Sequence, residues 1–262
     1  MLLVDNGSLE PAATLNLRRI AAALAAAAGR PVEPISWKHS DRIPAERLAG
    51  RPAVTLGAFI REQFARGQRA FHLLPFFISP QGAIGSALRR DLEQLQAELG
   101  PFTFTFGPGL AELGVIARIV AARVRETALA AGLVSPPVVL VDHGGPSPAS
   151  AALRDQLGRE VADGLTPDFP PPVVASMEGD HPPLLAEVLA QPAHAGRDVI
   201  VALLFLSPGR HAGPGGDIAE ICAASPARTH CTGLIGTHPL ALAALAATLP
   251  PPAASSLFSH RT

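Results

Sequence analysis

The sequence predicts an α/β chain made of two tandem copies of one unit, each a four-stranded parallel sheet flanked by helices. Three observations support this. Apolar runs, mostly β-branched in Val138-Val139-Leu140-Val141, alternate with longer helix-periodic segments along the chain up to residue 249, which is the pattern of βαβ units. The alternation restarts after the proline pair Pro136-Pro137. The second half then matches the first residue by residue. Leu3-Val4-Asp5-Asn6-Gly7 parallels Leu140-Val141-Asp142-His143-Gly144, and Pro11-Ala12 parallels Pro148-Ala149 at the same spacing. Phe76-Phe77-Ile78-Ser79-Pro80 parallels Leu204-Phe205-Leu206-Ser207-Pro208. A repeat of roughly 130 residues is too long for a solenoid and reads as a duplicated domain. Right-handed crossovers make each copy a doubly wound sheet, giving two tandem flavodoxin-like domains.

In chain order, the apolar run 2–5 reads as a strand, and Pro11, a favoured first helical residue, opens an alanine-rich helix over 11–28. Strands follow at 32–37, 69–77 and 102–106, with helices at 44–48, 53–66, 84–99 and 110–131. Residues 132–137 are a linker. The second copy predicts strands at 138–142, 173–177, 198–206 and 230–235, with helices at 148–165, 184–190, from 217, and at 239–249. The boundaries are an N-terminal domain 1–134, a C-terminal domain 135–250 and a disordered proline- and serine-rich tail 251–262.

Composition excludes several functions. Net charge is −1, from 21 basic and 22 acidic residues, so neither nucleic acid nor a membrane surface is an expected partner. No apolar run reaches the ~18 residues of a membrane span. The N-terminus enters a strand at once without a basic region, so no signal peptide is expected and the chain reads as cytoplasmic. Cys222 and Cys231 have no metal-ligand spacing and read as buried, reduced thiols. Lys38, the only lysine, follows no glycine-rich loop, which removes a Walker-type phosphate site. Gly107-Pro108-Gly109 lacks the third glycine of a dinucleotide fingerprint, position 112 being Glu. A hydrolase is disfavoured because no Gly-x-Ser-x-Gly elbow or nucleophile–base pair is present.

The two copies differ where parallel strands end, which is where open α/β sheets place ligands. The first strand ends on Asn6 in copy one and His143 in copy two. The second ends on Trp37-Lys38-His39 against Met177-Glu178-Gly179, and after the third Gln81-Gly82-Ala83 stands against Gly209-Arg210-His211. Two imidazoles and a carboxylate, His143, His211 and Glu178, therefore gather at one edge of copy two. Such a set suits a borderline divalent metal. The remaining histidines, His72, His194, His230, His238 and His260, read as structural or exposed, while His39 and His181 lie beside the cleft without an assigned role. Asp5 and Asp142, present in both copies, read as turn residues, and the phenylalanines of copy one as core.

These motifs resemble the class II tetrapyrrole chelatases of the sirohydrochlorin cobaltochelatase/ferrochelatase type. The likeness rests on Leu140-Val141-Asp142-His143-Gly144, on Phe205-Leu206-Ser207-Pro208-Gly209-Arg210-His211 followed by Asp217-Ile218, and on Glu178 with Pro183-Leu184. It spans nearly the whole chain as a tandem in which only the C-terminal copy carries the histidines. Gly145-Pro146 stands where the family has Ser-Arg. The resemblance implies insertion of a divalent metal, Co²⁺ or Fe²⁺, into sirohydrochlorin or a related modified tetrapyrrole in cobalamin or siroheme biosynthesis. It implies no permanently bound cofactor, the metal being a substrate. His143, His211 and Glu178 are then the catalytic and metal-facing groups. Arg210 and the amides of Gly215 and Gly216 are expected to hold substrate carboxylates; the alternative is a solvated arginine beside a flexible turn with Asp217 as helix cap. A monomer with an internal pseudo-two-fold is expected. The alternative is a non-catalytic metal- or tetrapyrrole-binding protein of the same fold.

Overall fold

The structure, a computed structural model, describes residues 1–78, 83–145 and 148–249. The expectations for Ser79 to Gly82, for Ser147 and for the tail lie outside the described residues. The first half runs β1 (Leu2–Asp5), α1 (Pro11–Ala28), β2 (Glu33–Ser36), α2 (Leu56–Ala65), β3 (Ala70–Pro75), α3 (Ala83–Leu99), β4 (Thr103–Phe106) and α4 (Ile116–Ala131). The second runs β5 (Val138–Asp142), α5 (Pro148–Leu165), β6 (Val173–Ser176), α6 (Leu185–Leu189), β7 (Asp198–Leu203), α7 (Asp217–Ala224), β8 (Arg228–Cys231) and α8 (Pro239–Ala247). Each half forms a four-stranded sheet, ordered β2-β1-β3-β4 and β6-β5-β7-β8, and every pairing is parallel. The α/β class and the duplicated sheet are as the sequence predicts.

The central strands are the most apolar because neighbours flank them and helices cover both faces. Val141 pairs with Ala175 on one side and Leu203 on the other, and Val4 with Ile35 and Pro75. In α1, Pro11 sits in the first turn and Gly29, in the left-handed conformation, returns its amide to Ala25 O. Leu17, Ile20, Ala21, Leu24 and Ala28 form its buried stripe.

Several boundaries move for local reasons. The helix expected over 110–131 starts only at Ile116, because Gly114 takes φ +61° and the Glu112 carboxylate ties back to the Gly109 amide. The strand expected over 198–206 stops at Leu203, where pairing with β5 ends. The last strand lies earlier, at Arg228–Cys231, and Ile235–Thr237 is a 3₁₀ turn. Residues 44–48 form a 3₁₀ turn, Ala45–Leu48, in place of an α-helix.

The terminal helix of each half crosses to the other. α4, which precedes the expected boundary at 134/135, packs against β7, β8 and α5, and α8 packs against α1 and α4. One apolar cluster therefore runs through both halves. It joins Leu3, Leu74 and Phe76 below the first sheet to Leu140, Ile200 and Ala202 below the second, through Ile20, Ile116, Val120, Leu157, Val161 and Leu245. Two further clusters lie on the outer faces, one under α2 and α3 and one under α6 and α7. Each fully buried leucine- or isoleucine-sized side chain contributes roughly 1.5–3 kcal/mol, so neither sheet keeps its inner face covered without the other. We expect a single unfolding transition, with far-UV circular dichroism and tryptophan fluorescence coincident. Two resolved transitions would contradict the shared interior.

Candidate functional site

The site begins with a backbone crossing. β5 ends on Asp142 and is followed by His143 and Gly144, the latter at φ +85°. A Cβ on Gly144 would lie 1.7 Å from the Glu178 carbonyl oxygen, and one on Gly179 2.4 Å from the Gly144 oxygen. Only glycine permits this approach. The Met177 amide donates to Asp142 O at 2.8 Å and the Glu178 amide to His143 O at 3.3 Å. The ends of β5 and β6 are thus laced together, and His143 is placed beside Glu178.

The second imidazole arrives on the loop between β7 and α7. His143 Nε2 and His211 Nε2 lie 3.2 Å apart, with ring planes at 85°. Glu178 Oε1 is 3.5 Å from His143 Nε2. Asp217 Oδ2 accepts from His211 Nδ1 at 2.5 Å, which commits the proton to Nδ1 and leaves Nε2 as a lone pair for a metal or a proton. His143 and Glu178 are about half exposed and His211 about one-third, so the nitrogens meet solvent. With metal–nitrogen distances of about 2.1 Å, the 3.2 Å separation corresponds to roughly 100° between two ligands on one ion.

The structure brings together His143, His211 and Glu178, with one correction. Among the described residues no group of three or more His, Cys, Asp or Glu side chains is preassembled to hold a metal ion. The Glu178 carboxylate faces the His143 nitrogen, so the site as it stands is a two-imidazole platform with an adjacent carboxylate. Arg210 is exposed, its Nε 3.8 Å from Asp217 Oδ2. The glycine-rich turn also departs from expectation. The Gly216 amide donates to Gly213 O, that of Asp217 to Arg210 O and that of Ile218 to His211 O. The amides at 216–218 thus hold the loop's own carbonyls, and Gly216 does not offer its N–H to a carboxylate. Gly215, at φ +70°, faces open space. Gly216, not Asp217, is the cap of α7, which frees the Asp217 side chain for His211.

Copy one repeats the scaffold with other side chains. Gly7, also at φ +85°, would place a Cβ 1.7 Å from Lys38 O, and the Lys38 amide donates to Asn6 O. Asn6 stands for His143, and Lys38, ion-paired with Asp91 at 3.1 Å, stands for Glu178. The lobes meet near the His211 loop, where Asn16 Nδ2 donates to Ser207 Oγ at 3.2 Å. Two cavities, of about 660 and 630 Å³, open in copy one. The first is lined by Trp37, Lys38, His39 and Arg61 and the second by Phe77, Arg89, Arg90 and Phe106. Neither is lined by the histidine pair.

Four of the other described histidines have local partners for their side chains. His72 bonds Thr105, His194 bonds Val188 O, His230 bonds Asp198, and His238 accepts from the Leu240 amide. His39 flanks a 3₁₀ turn at φ +71°, and His181 gives its carbonyl to Arg154. Cys231, expected to be buried, is exposed, its thiol 3.8 Å from that of buried Cys222. Sequence reasoning missed Asp217 as the partner of His211. It also missed Arg154, a buried cation whose only signal was Leu17 at the matching position of copy one.

Copy one also offers a test of buried charge. Burial pushes the Asp5 carboxyl up to about 6, partly offset by bonds from Ser36 and the Gly7 amide. The folded value exceeds the ordinary one, so the native state binds this proton more tightly. The group's contribution to stability is greatest below about pH 4 and falls as pH rises to about 6, a loss of about 3 kcal/mol when complete. Asp5→Asn removes that dependence. The difference in urea-unfolding free energy, variant minus wild type, should become more favourable by about 2 kcal/mol between pH 4.5 and 7.5. An unchanged difference would contradict the assignment.

Residues 137–250 match the CbiX family model. The matched stretch is the second copy of the repeat. That stretch contains both imidazoles, Glu178 and Asp217, and the resemblance to class II tetrapyrrole chelatases predicted from the sequence is borne out. Solved structures share the two-lobed fold. SirB from Bacillus subtilis with Fe³⁺ is 14% identical with a TM-score of 0.66, covering 94% of this chain and 92% of that one. CbiX, the terminal enzyme for biosynthesis of siroheme in denitrifying bacteria, is 18% identical with a TM-score of 0.65, covering 94% and 96%. SirB from Bacillus subtilis subspecies spizizenii in complex with cobalt is 16% identical with a TM-score of 0.57, covering 95% and 92%. No curated protein matches the chain significantly. No helix among the described residues is long and apolar enough to cross a membrane.

Proposed function

We propose that this chain inserts a divalent metal, Co²⁺ or Fe²⁺, into sirohydrochlorin or a closely related modified tetrapyrrole, in cobalamin or siroheme biosynthesis. The observation that carries the reading is the 3.2 Å pairing of the His143 and His211 Nε2 atoms at the carboxyl end of the second sheet. Insertion requires the ion to shed water, meet one face of the macrocycle and replace two pyrrole N–H protons. A neutral imidazole pair binds a borderline divalent ion, and two protein ligands hold it loosely enough to release. His143 and His211 present the ion. As the ion passes into the ring the two imidazoles share the base role and take up the two pyrrole protons, one each, with Glu178 as their carboxylate partner. Metal and tetrapyrrole are substrates, so no resident cofactor is required. The relatives solved with Fe³⁺ and with cobalt support an iron or cobalt substrate. We further propose that the chain works as a cytoplasmic monomer, copy one forming the wall opposite the imidazoles.

The test is anaerobic mixing of the protein with Co²⁺ or Fe²⁺ and excess macrocycle, following the visible spectrum of the metallated ring. Product beyond one equivalent per chain is expected. A change that stops at one equivalent would overturn the catalytic reading in favour of a binding protein.

A further inference from the structure

Among the described residues Arg154 is the only buried lysine or arginine, 4% exposed. A guanidinium leaves water only where its charge and its N–H groups are met. Here Nε and Nη2 reach Asp155 Oδ1 at 2.9 and 2.8 Å. Nη1 turns inward, donating to Ser176 Oγ at 2.7 Å and to the His181 carbonyl at 3.1 Å. Ser176 then donates its hydroxyl to Asp142 Oδ1 at 2.8 Å. These partners frame the site. Asp142 immediately precedes His143, Ser176 lies two residues before Glu178, and His181 lies three residues after it.

The duplication supplies a comparison within the molecule. Copy one keeps the same aspartate and serine at its strand ends, Asp5 and Ser36, hydrogen-bonded to each other. It keeps the glycine crossing as well. At the position of Arg154 it has Leu17, 1% exposed and packed in the shared core. The leucine shows that the α/β scaffold closes without a cation at this point. The guanidinium is present only in the lobe with the imidazoles.

We propose that Arg154 is a positioning residue for the His143–Glu178 pair, fastening the end of β5 and the loop after β6 to each other from beneath through Ser176, Asp142 and the His181 carbonyl. Its effect on metal affinity rests on the function proposed above; its effect on geometry does not.

Three variants separate the roles. Arg154→Leu installs the residue of copy one, Ser176→Ala cuts the link to Asp142 while keeping the guanidinium, and Ser36→Ala makes the matching cut in copy one. Two readouts apply to each: NMR signals of the His143 imidazole and the Glu178 amide, and Co²⁺ affinity from titration of the protein's cobalt absorption. In the first two variants the His143 and Glu178 signals should move and Co²⁺ affinity should fall about tenfold or more, as for other residues that orient metal ligands. Ser36→Ala should change neither. Unmoved His143 and Glu178 signals in Ser176→Ala, or equal movement in Ser36→Ala, would overturn the proposal. Ser176→Ala decides the matter alone if Arg154→Leu does not fold. If the wild-type protein fails to bind Co²⁺, the metal reading falls, and the NMR comparison still decides the positioning role.

Discussion

The His143→Ala variant is expected to lose metal insertion by roughly 10²–10⁴-fold, the range for removal of a group that transfers protons in the transition state. It should keep its fold. The side chain is about half exposed, so its removal opens no core cavity, and a surface substitution of this kind changes stability by about 0.5 kcal/mol or less. The loss should exceed that from Arg210→Ala, because the Arg210 side chain stands in solvent. Initial rates of ring metallation, measured beside a thermal melt of each variant, check both statements. Wild-type rates in His143→Ala would remove the imidazole pair from the mechanism.

The second large effect concerns the glycines at the backbone crossings. Gly144→Ala and Gly7→Ala each place a methyl carbon 1.7 Å from a carbonyl oxygen, on residues at φ +85°. Such a contact cannot persist, so the crossing strands must separate. We expect each variant to lose roughly 3 kcal/mol, since a left-handed backbone and a steric conflict add at one residue. The two should differ in function. Gly144→Ala displaces Glu178 and abolishes metallation even in the folded fraction, whereas Gly7→Ala displaces Lys38 and leaves the histidine pair in place. Urea unfolding with rates normalised to folded protein makes the comparison. Equal activity loss in both would contradict assignment of the chemistry to one lobe.

Much of this was legible in the sequence for a simple reason. A buried parallel strand is an unbroken apolar run, and Val138 to Val141 is one, so the position of His143 followed from the strand's end. Comparison of the copies isolated His143, Glu178 and His211, since a difference between two lobes of one fold cannot be required by the fold. Other features left no local trace. The exchange of α4 and α8 is invisible because an amphipathic helix has the same pattern whichever sheet it covers. Arg154 looks like an ordinary polar residue in an amphipathic segment, where arginine is usually exposed. Its one distinguishing mark is Leu17 at the matching position of copy one. An acid after glycines at a helix start commonly caps it, so the sequence points to a cap at Asp217. One residue's displacement into the helix gives its carboxylate to His211 instead.

Cobalt K-edge X-ray absorption of the protein with one equivalent of Co²⁺ tests the central claim most directly. Outer-shell scattering from two imidazoles, with first-shell nitrogens at about 2.1 Å, should fall to one imidazole in His143→Ala and to one in His211→Ala. A spectrum without imidazole scattering, or one identical in all three proteins, would contradict the account.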